Sequence, residues 1–204
     1  MPDVPRISDL INDLADPDWH VRLSAIWLLV DAREAGIPAL PSLKKLLDHE
    51  DNQLLRLGAA VAVTQIAPHK ADDVLPLLLA ELHDDNFLHR ETASKFIGNL
   101  GQRATVALPA LIVLLEDEDE DVTVRCSASE AVGRISGDWS QAVEVGLSLI
   151  HDADWLTRVV AQEHFGAMGI EAKAAVPRLR ALLCVVEWDV RLDLEVVLAD
   201  IEAL

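Results

Sequence analysis

Apolar residues recur along the whole chain at helical spacing, in step with six arginines. Arg22, Arg56, Arg90, Arg125, Arg158 and Arg191 stand 34, 34, 35, 33 and 33 residues apart. Three residues after each come Ala25, Ala59, Ala93, Ala128, Ala161 and Leu194. Seven after come Leu29, Val63, Ile97, Val132, Phe165 and Leu198; ten after come Ala32, Ile66, Leu100, Ile135, Met168 and Ile201. Offsets of three, seven and ten share one face of an α-helix, so a helix is predicted around every arginine. Four residues before each arginine stand Asp18, Asn52, Asn86, Asp121, Asp154 and Glu187. The first five are N-cap types, whose side chains accept a bond from an otherwise unpaired helical N–H.

A shorter apolar segment precedes each of these helices, at 7–14, 40–47, 74–82, 106–115, 143–150 and 176–183. Pro5, Pro41, Pro76, Pro109 and Pro177 lie near five of the starts, where a missing N–H costs little, and Glu144 takes that place in the fifth unit. Gly36, Gly101, Gly137 and Gly169 fall between units, as C-terminal stops should. No strand-like alternation competes. A fixed period in this range marks a repeat array. The pattern predicts an all-α chain of twelve helices in six antiparallel pairs, at about 4–35, 37–69, 71–102, 104–138, 140–170 and 172–204, forming a single domain 1–204.

Tetratricopeptide and ankyrin repeats have nearly this length. The first needs Trp, Gly and Tyr at set places, and the chain has no tyrosine; the Thr-Pro-Leu-His turn of the second is also absent. Leu108-Pro109-Ala110-Leu111 with Asp121-Val122-Thr123-Val124-Arg125 resembles instead the short HEAT-like repeat, with its Pro-x-Leu helix, Asp-x-Asp turn and Val-Arg-x-x-Ala helix. So does the run from Asp16-Pro17-Asp18 through Val21-Arg22 to Ala25. The resemblance covers essentially the whole chain. It implies a right-handed α-solenoid, an armadillo-like superhelix whose second helices line the concave surface. The subunits of bilin lyases share such repeats. On function the resemblance is nearly silent.

Charge narrows the field of partners. The formal net charge is −18, with only 17 Lys and Arg against 35 Asp and Glu. Nucleic-acid affinity comes largely from uncompensated basic charge, so nucleic acid is excluded, and the six arginines are expected to form a structural ladder with acids of the turns. The same field repels anionic membranes and favours a basic protein surface. The longest apolar stretches are too short to span a bilayer. Cys126 and Cys184 lie far apart and the N-terminus has no secretory pattern, so a cytoplasmic protein is expected.

No reaction chemistry stands out. Seventeen of the acids fall in the turns within units, six of them consecutive at Glu116, Asp117, Glu118, Asp119, Glu120 and Asp121. That run lacks the glycine and spacing of an EF-hand loop. His49, His83 and His151 recur one per unit, roughly 10 Å apart in a stack, too far to share an ion. HEAT-like di-iron hydroxylases carry several His-Glu pairs; here only His49-Glu50 has that order, and Glu163-His164 is reversed. No metal, no cofactor and no catalytic residue is therefore expected, and the oligomeric state is open.

The informative feature is a stripe. Positions three before, one after and five after each arginine share one face of the second helix. They give Trp19, Leu23 and Trp27; Gln53, Leu57 and Val61; Phe87, Glu91 and Lys95; Val122, Cys126 and Glu130; Trp155, Val159 and Glu163; and Trp188, Leu192 and Val196. Leu23, Trp27, Leu57 and Val61 are expected to form an open apolar patch beside Trp19, and such patches mark interfaces. The expected function is a non-enzymatic protein-binding adaptor or inhibitor that uses this patch and an acidic edge. The alternatives are an enzyme subunit resembling a bilin lyase component, with a ligand in the groove, and a nucleic-acid-binding repeat, which the charge disfavours.

Overall fold

A computed structural model describes residues 6–204 of the chain. Pro5 and the first residues of the first unit lie outside them. Among the described residues the helices run α1 (Ile7–Asp13), α2 (Trp19–Ala32), α3 (Leu40–His49), α4 (Gln53–Ile66), α5 (Ala71–Glu81) and α6 (Phe87–Asn99). They continue as α7 (Leu108–Glu116), α8 (Val122–Ser136), α9 (Ser140–Leu149), α10 (Trp155–Met168), α11 (Val176–Leu182) and α12 (Trp188–Glu202), with no strand between them. Short odd-numbered helices alternate with longer even-numbered ones. Tight 3-10 segments at Arg33–Ala39, Pro68–Lys70, Gly101–Ala107 and Gly169–Ala175 lead from one pair to the next.

The long helices start where their caps dictate. The side chain of Asp18 accepts from the His20 N–H, Asn52 from Leu54 and Leu55, Asn86 from Leu88, Asp121 from Thr123, and Asp154 from Thr157. Glu187 makes no such bond. A second acid builds the turn ahead of four of these caps. Asp16 accepts from the Asp18 N–H at 2.8 Å, Asp84 from Asn86 at 2.8 Å and Asp152 from Asp154 at 2.8 Å, while Glu50 serves Asn52 at 3.2 Å. These turns give the Asp-x-Asp spacing its physical meaning.

The residues three and seven after each arginine are all buried, and they are the packing face of the even-numbered helices. By internal contacts the chain falls into two compact units, Met1–Leu78 and Leu79–Leu204. In the first, α2 packs on α1 and α4, and α3 on α4. In the second, α8 packs on α6, α7 and α9, and α10 on α9 and α12. The core of α9 to α12 centres on Phe165, Ile150, Leu179 and Leu194.

Two expectations need correction. Pro41, Pro109 and Pro177 do sit in the first turns of α3, α7 and α11, but Pro76 lies inside α5, because that helix begins earlier, at Ala71. Nor is Gly36 the stop of the first unit. Gly101 and Gly169, eleven residues after their arginines, take positive φ of 58° and 59°, and the first unit places Arg33 there with φ 49°. Gly36 is needed for another reason: a Cβ on it would meet Ile66 Cδ1 at 2.9 Å.

Candidate interaction face

The arginines are held from two directions. Arg22 donates to the carbonyls of Asp16 at 2.7 Å and Pro17 at 3.1 Å, and its other terminal nitrogen reaches Glu50 of the next pair at 3.3 Å. Arg90 donates to the carbonyls of Asp84 and Asp85, and grips Glu120 with two bonds of 2.7 and 2.5 Å. Arg158 donates to the carbonyls of Asp152 and Ala153, and to Asp193 at 2.6 Å. Each of these guanidiniums thus closes its own turn and ties it to the following pair. A bidentate fork suits that double task as an ammonium would not. Arg56 is also engaged. Arg125 differs: it donates only from Nε, to the Leu115 carbonyl at 3.3 Å.

In the first unit the apolar stripe is partly open. Trp27 is 44% exposed, Trp19 lies half in solvent over the His20 ring, and Leu23 is half-buried. Leu57 and Val61 are not part of any open patch: they are 2% and 6% exposed. The reason lies in α4 itself, where every residue from Leu57 to Val63 is buried. A helix apolar all round is packed all round, and the spacing argument treated it as one-sided.

In the second unit three successive long helices bring polar side chains together. Glu91 and Lys95 of α6, Cys126 and Glu130 of α8, and Glu163 and His164 of α10 line one cavity of about 130 Å³. Glu91 and Lys95 bond to each other at 2.6 Å, and Glu163 is exposed. Glu130, expected on the surface, is buried at 6% exposure. Its helix is again enclosed on nearly all sides, being rich in Ala, Ser and Gly. Phe87 and Trp155 stand in solvent on the same helices, Trp155 at 61%. At the last unit of the stripe, Trp188, Leu192 and Val196 of α12 are all exposed.

His164, which the sequence marks only as half of a reversed pair with Glu163, lies at the centre of the contacts around this cavity. Its Nε2 lies 2.8 Å from the Ala142 carbonyl, and its Nδ1 lies 3.1 Å from Glu130 Oε1. A carbonyl only accepts, so Nε2 carries a hydrogen. The other ring nitrogen faces a carboxyl oxygen of Glu130 at 3.1 Å. Glu130 Oε2 takes a bond from Arg134 at 3.2 Å. The His164–Glu130 pair therefore links α8, α9 and α10 through groups that are fully engaged. The partners are 34 residues apart, one repeat along the sequence, and meet as neighbours from successive units.

This arrangement offers little chemistry. Burial, and then the charge of Glu130, push the Cys126 thiol up to about 12, so it stays protonated and unreactive at neutral pH. The cavity is smaller than the 300 Å³ or so at which ligand pockets begin. Elsewhere, Glu81, Asp84 and His89 bring potential ligand atoms within 4.8 Å of one another. Asp84 Oδ1 is already bonded by the Asn86 N–H and lies 3.1 Å from His89 Nδ1, and Glu81 has a partner of its own, so the trio reads as turn structure. No helix is long and apolar enough to cross a membrane among the described residues.

No model of a known protein family matches this sequence, and no curated protein matches it. Solved structures do. Two engineered proteins match at 19% identity, with TM-scores of 0.55 and 0.56, over 98% of this chain and 97% and 99% of theirs. The complex of CpcE and CpcF of phycocyanin lyase from Nostoc sp. PCC7120 matches at 19% identity and a TM-score of 0.52, over 98% of this chain and 96% of that one. At such identity the likeness concerns the fold. The class is the all-α helical-repeat, or solenoid, fold, and the paired helices fit repeats of the HEAT-like kind.

Proposed function

We propose that this chain is a non-catalytic protein-binding module. In this reading the six pairs act as one domain, 1–204, in the cytoplasm, and grip a basic partner rather than nucleic acid. The observation that carries it is the set of large apolar side chains that the long helices leave in water: Trp155 on α10 and Trp188, Leu192 and Val196 on α12, with Trp19 and Trp27 on α2. Aromatic anchors of this kind dominate binding energy at interfaces, while acidic turns raise the on-rate of a basic partner. An enzyme-subunit reading draws on the phycocyanin lyase likeness, but the 130 Å³ cavity and the protonated, buried Cys126 give it no reactive group.

The test is crosslinking in the native host, comparing the wild-type chain with Trp155→Ala and Leu192→Ser. The expected result is a defined protein adduct of the wild type that both variants lose while keeping the wild-type thermal midpoint. Undiminished crosslinking by both variants would refute the proposal.

A further inference from the structure

Arg125 breaks the pattern of the arginines, and the break leaves a site. Arg22, Arg90 and Arg158 each hold two carbonyls of their own turn and a carboxylate of the next pair, namely Glu50, Glu120 and Asp193. In the turn before α8, Asp117 accepts from the Asp119 N–H at 3.0 Å and Glu120 takes the N–H of the cap Asp121 at 2.7 Å, where the turns before α2, α4, α6 and α10 use the acid six residues before the arginine. Among the described residues Arg125 makes no bond to the two matching carbonyls, of Asp119 and Glu120, and donates to the Leu115 carbonyl instead. The next pair supplies no acid to it. The positions that match Glu120 and Asp193 are Ala153 and Val160, and Asp152, which matches Glu50, accepts from the Asp154 N–H at 2.8 Å and makes no bond to Arg125 among the described residues.

Arg125 instead lines a cavity of about 400 Å³, together with Gln141, Ser140 and Ser148 of α9 and Glu144. Glu144 is neutralised by its ion pair with Arg178. The remaining charge of the protein is screened beyond roughly 8 Å at physiological salt. Three other guanidiniums of this fold show what fits that place, and in each the answer is a carboxylate.

We propose that the Arg125 cavity binds a carboxylate brought by another molecule, either a short aliphatic acid or the acidic side chain of a polypeptide. The carboxylate takes the place that Glu120 takes on Arg90, bidentate on the guanidinium. This site is separate from the apolar face and does not depend on it.

The experiment is a titration of the ¹⁵N-labelled full chain with sodium succinate, and separately with a capped Gly-Glu-Gly peptide, each at ionic strength matched by sodium chloride. Saturable shifts are expected at Leu115, Gln141 and the Arg125 Nε–H. Saturation by succinate alone assigns the site to free acids, by the peptide alone to acidic side chains, and by both to the carboxylate headgroup they share. Arg125→Gln should weaken binding about tenfold or more, as loss of a charge-assisted fork requires. Ala153→Glu, at an exposed position, should restore the internal pair, abolish binding and raise the thermal midpoint. Shifts no larger than those with chloride, or binding retained in the well-folded Ala153→Glu protein and in Arg125→Gln, would overturn the proposal.

Discussion

Two glycines on long helices carry opposite expectations for the same substitution. Gly98 is near the end of α6, pressed against α8: a Cβ built on it would lie 2.9 Å from the Cα of Ala131 and 3.1 Å from its Cβ. Comfortable carbon contacts begin near 3.5 Å, so Gly98→Ala must push two backbones apart by several tenths of an ångström. No side-chain rotation relieves this, because the obstruction is the neighbouring main chain. Overpacking of this sort costs roughly 1–3 kcal/mol, against a gain of up to about 1 kcal/mol for replacing a helical glycine with alanine. The rigid contact places the cost in the upper part of its range, and the net loss is about 1–2 kcal/mol.

Gly166, near the end of α10, meets no atom within 4 Å. There the alanine keeps its gain, about 0.5–1 kcal/mol. Thermal melts followed by circular dichroism should show Gly98→Ala lowered by roughly 2–8 °C and Gly166→Ala raised by a few degrees. A Gly98→Ala protein as stable as the wild type would mean that α6 and α8 do not approach this closely. A fall in both would point to backbone preference rather than packing, and the packing argument would fail.

Arg33→Gly should raise stability by about 1 kcal/mol in a urea melt, since a positive φ of 49° strains any side chain and the equivalent Gly101 and Gly169 hold the same conformation freely. Thiol titration of the native protein should find Cys184 reactive and Cys126 silent until denaturant is added, as their exposure dictates. Because the Cys126 thiol is raised from 9.0 to about 12, the folded state disfavours its anion. Its contribution is intact below about pH 9 and is lost as pH rises toward 12, at no more than ~1.4 kcal/mol per pH unit; Cys126→Ala should flatten that fall. Trp27→Ala, at a side chain 44% exposed, should lose no more than about 2 kcal/mol in a denaturant melt, well short of the 3–5 kcal/mol of a core tryptophan.

What was legible in the sequence was local. A cap lies four residues from its arginine and the packing face follows a fixed helical offset, so Asp18, Asn52, Asn86, Asp121 and Asp154 could be named, and so could the buried series from Ala25 to Leu194. What failed depended on residues a full unit away. Leu57, Val61 and Glu130 lie on the face that spacing marks as open, but the small residues of α4 and α8 leave their helices enclosed on nearly all sides. Such closeness is set jointly by the helices on either side. The His164–Glu130 contact and the departure of Arg125 are of the same kind: both are decided by how one turn or helix meets the next.

The turn acids also change what the charge of −18 means. Asp16, Asp84 and Asp152 build bends, Asp18, Asp121 and Asp154 cap helices, and Glu50, Glu120 and Asp193 hold arginines of the preceding pair. Much of the acidity is therefore a consequence of how the turns are made, and it would be present in a chain with no basic partner at all. Even the six-acid run is partly structural, since Glu120 serves Arg90, Asp121 caps α8 and Asp117 bends the chain. Glu116, Glu118 and Asp119 are exposed and make no side-chain bond among the described residues. A steering role for the acidic edge must rest on residues like these three. Neutralising them should slow the association of a basic partner and leave the thermal midpoint in place, whereas neutralising Glu50 or Glu120 should lower the midpoint by unpairing an arginine.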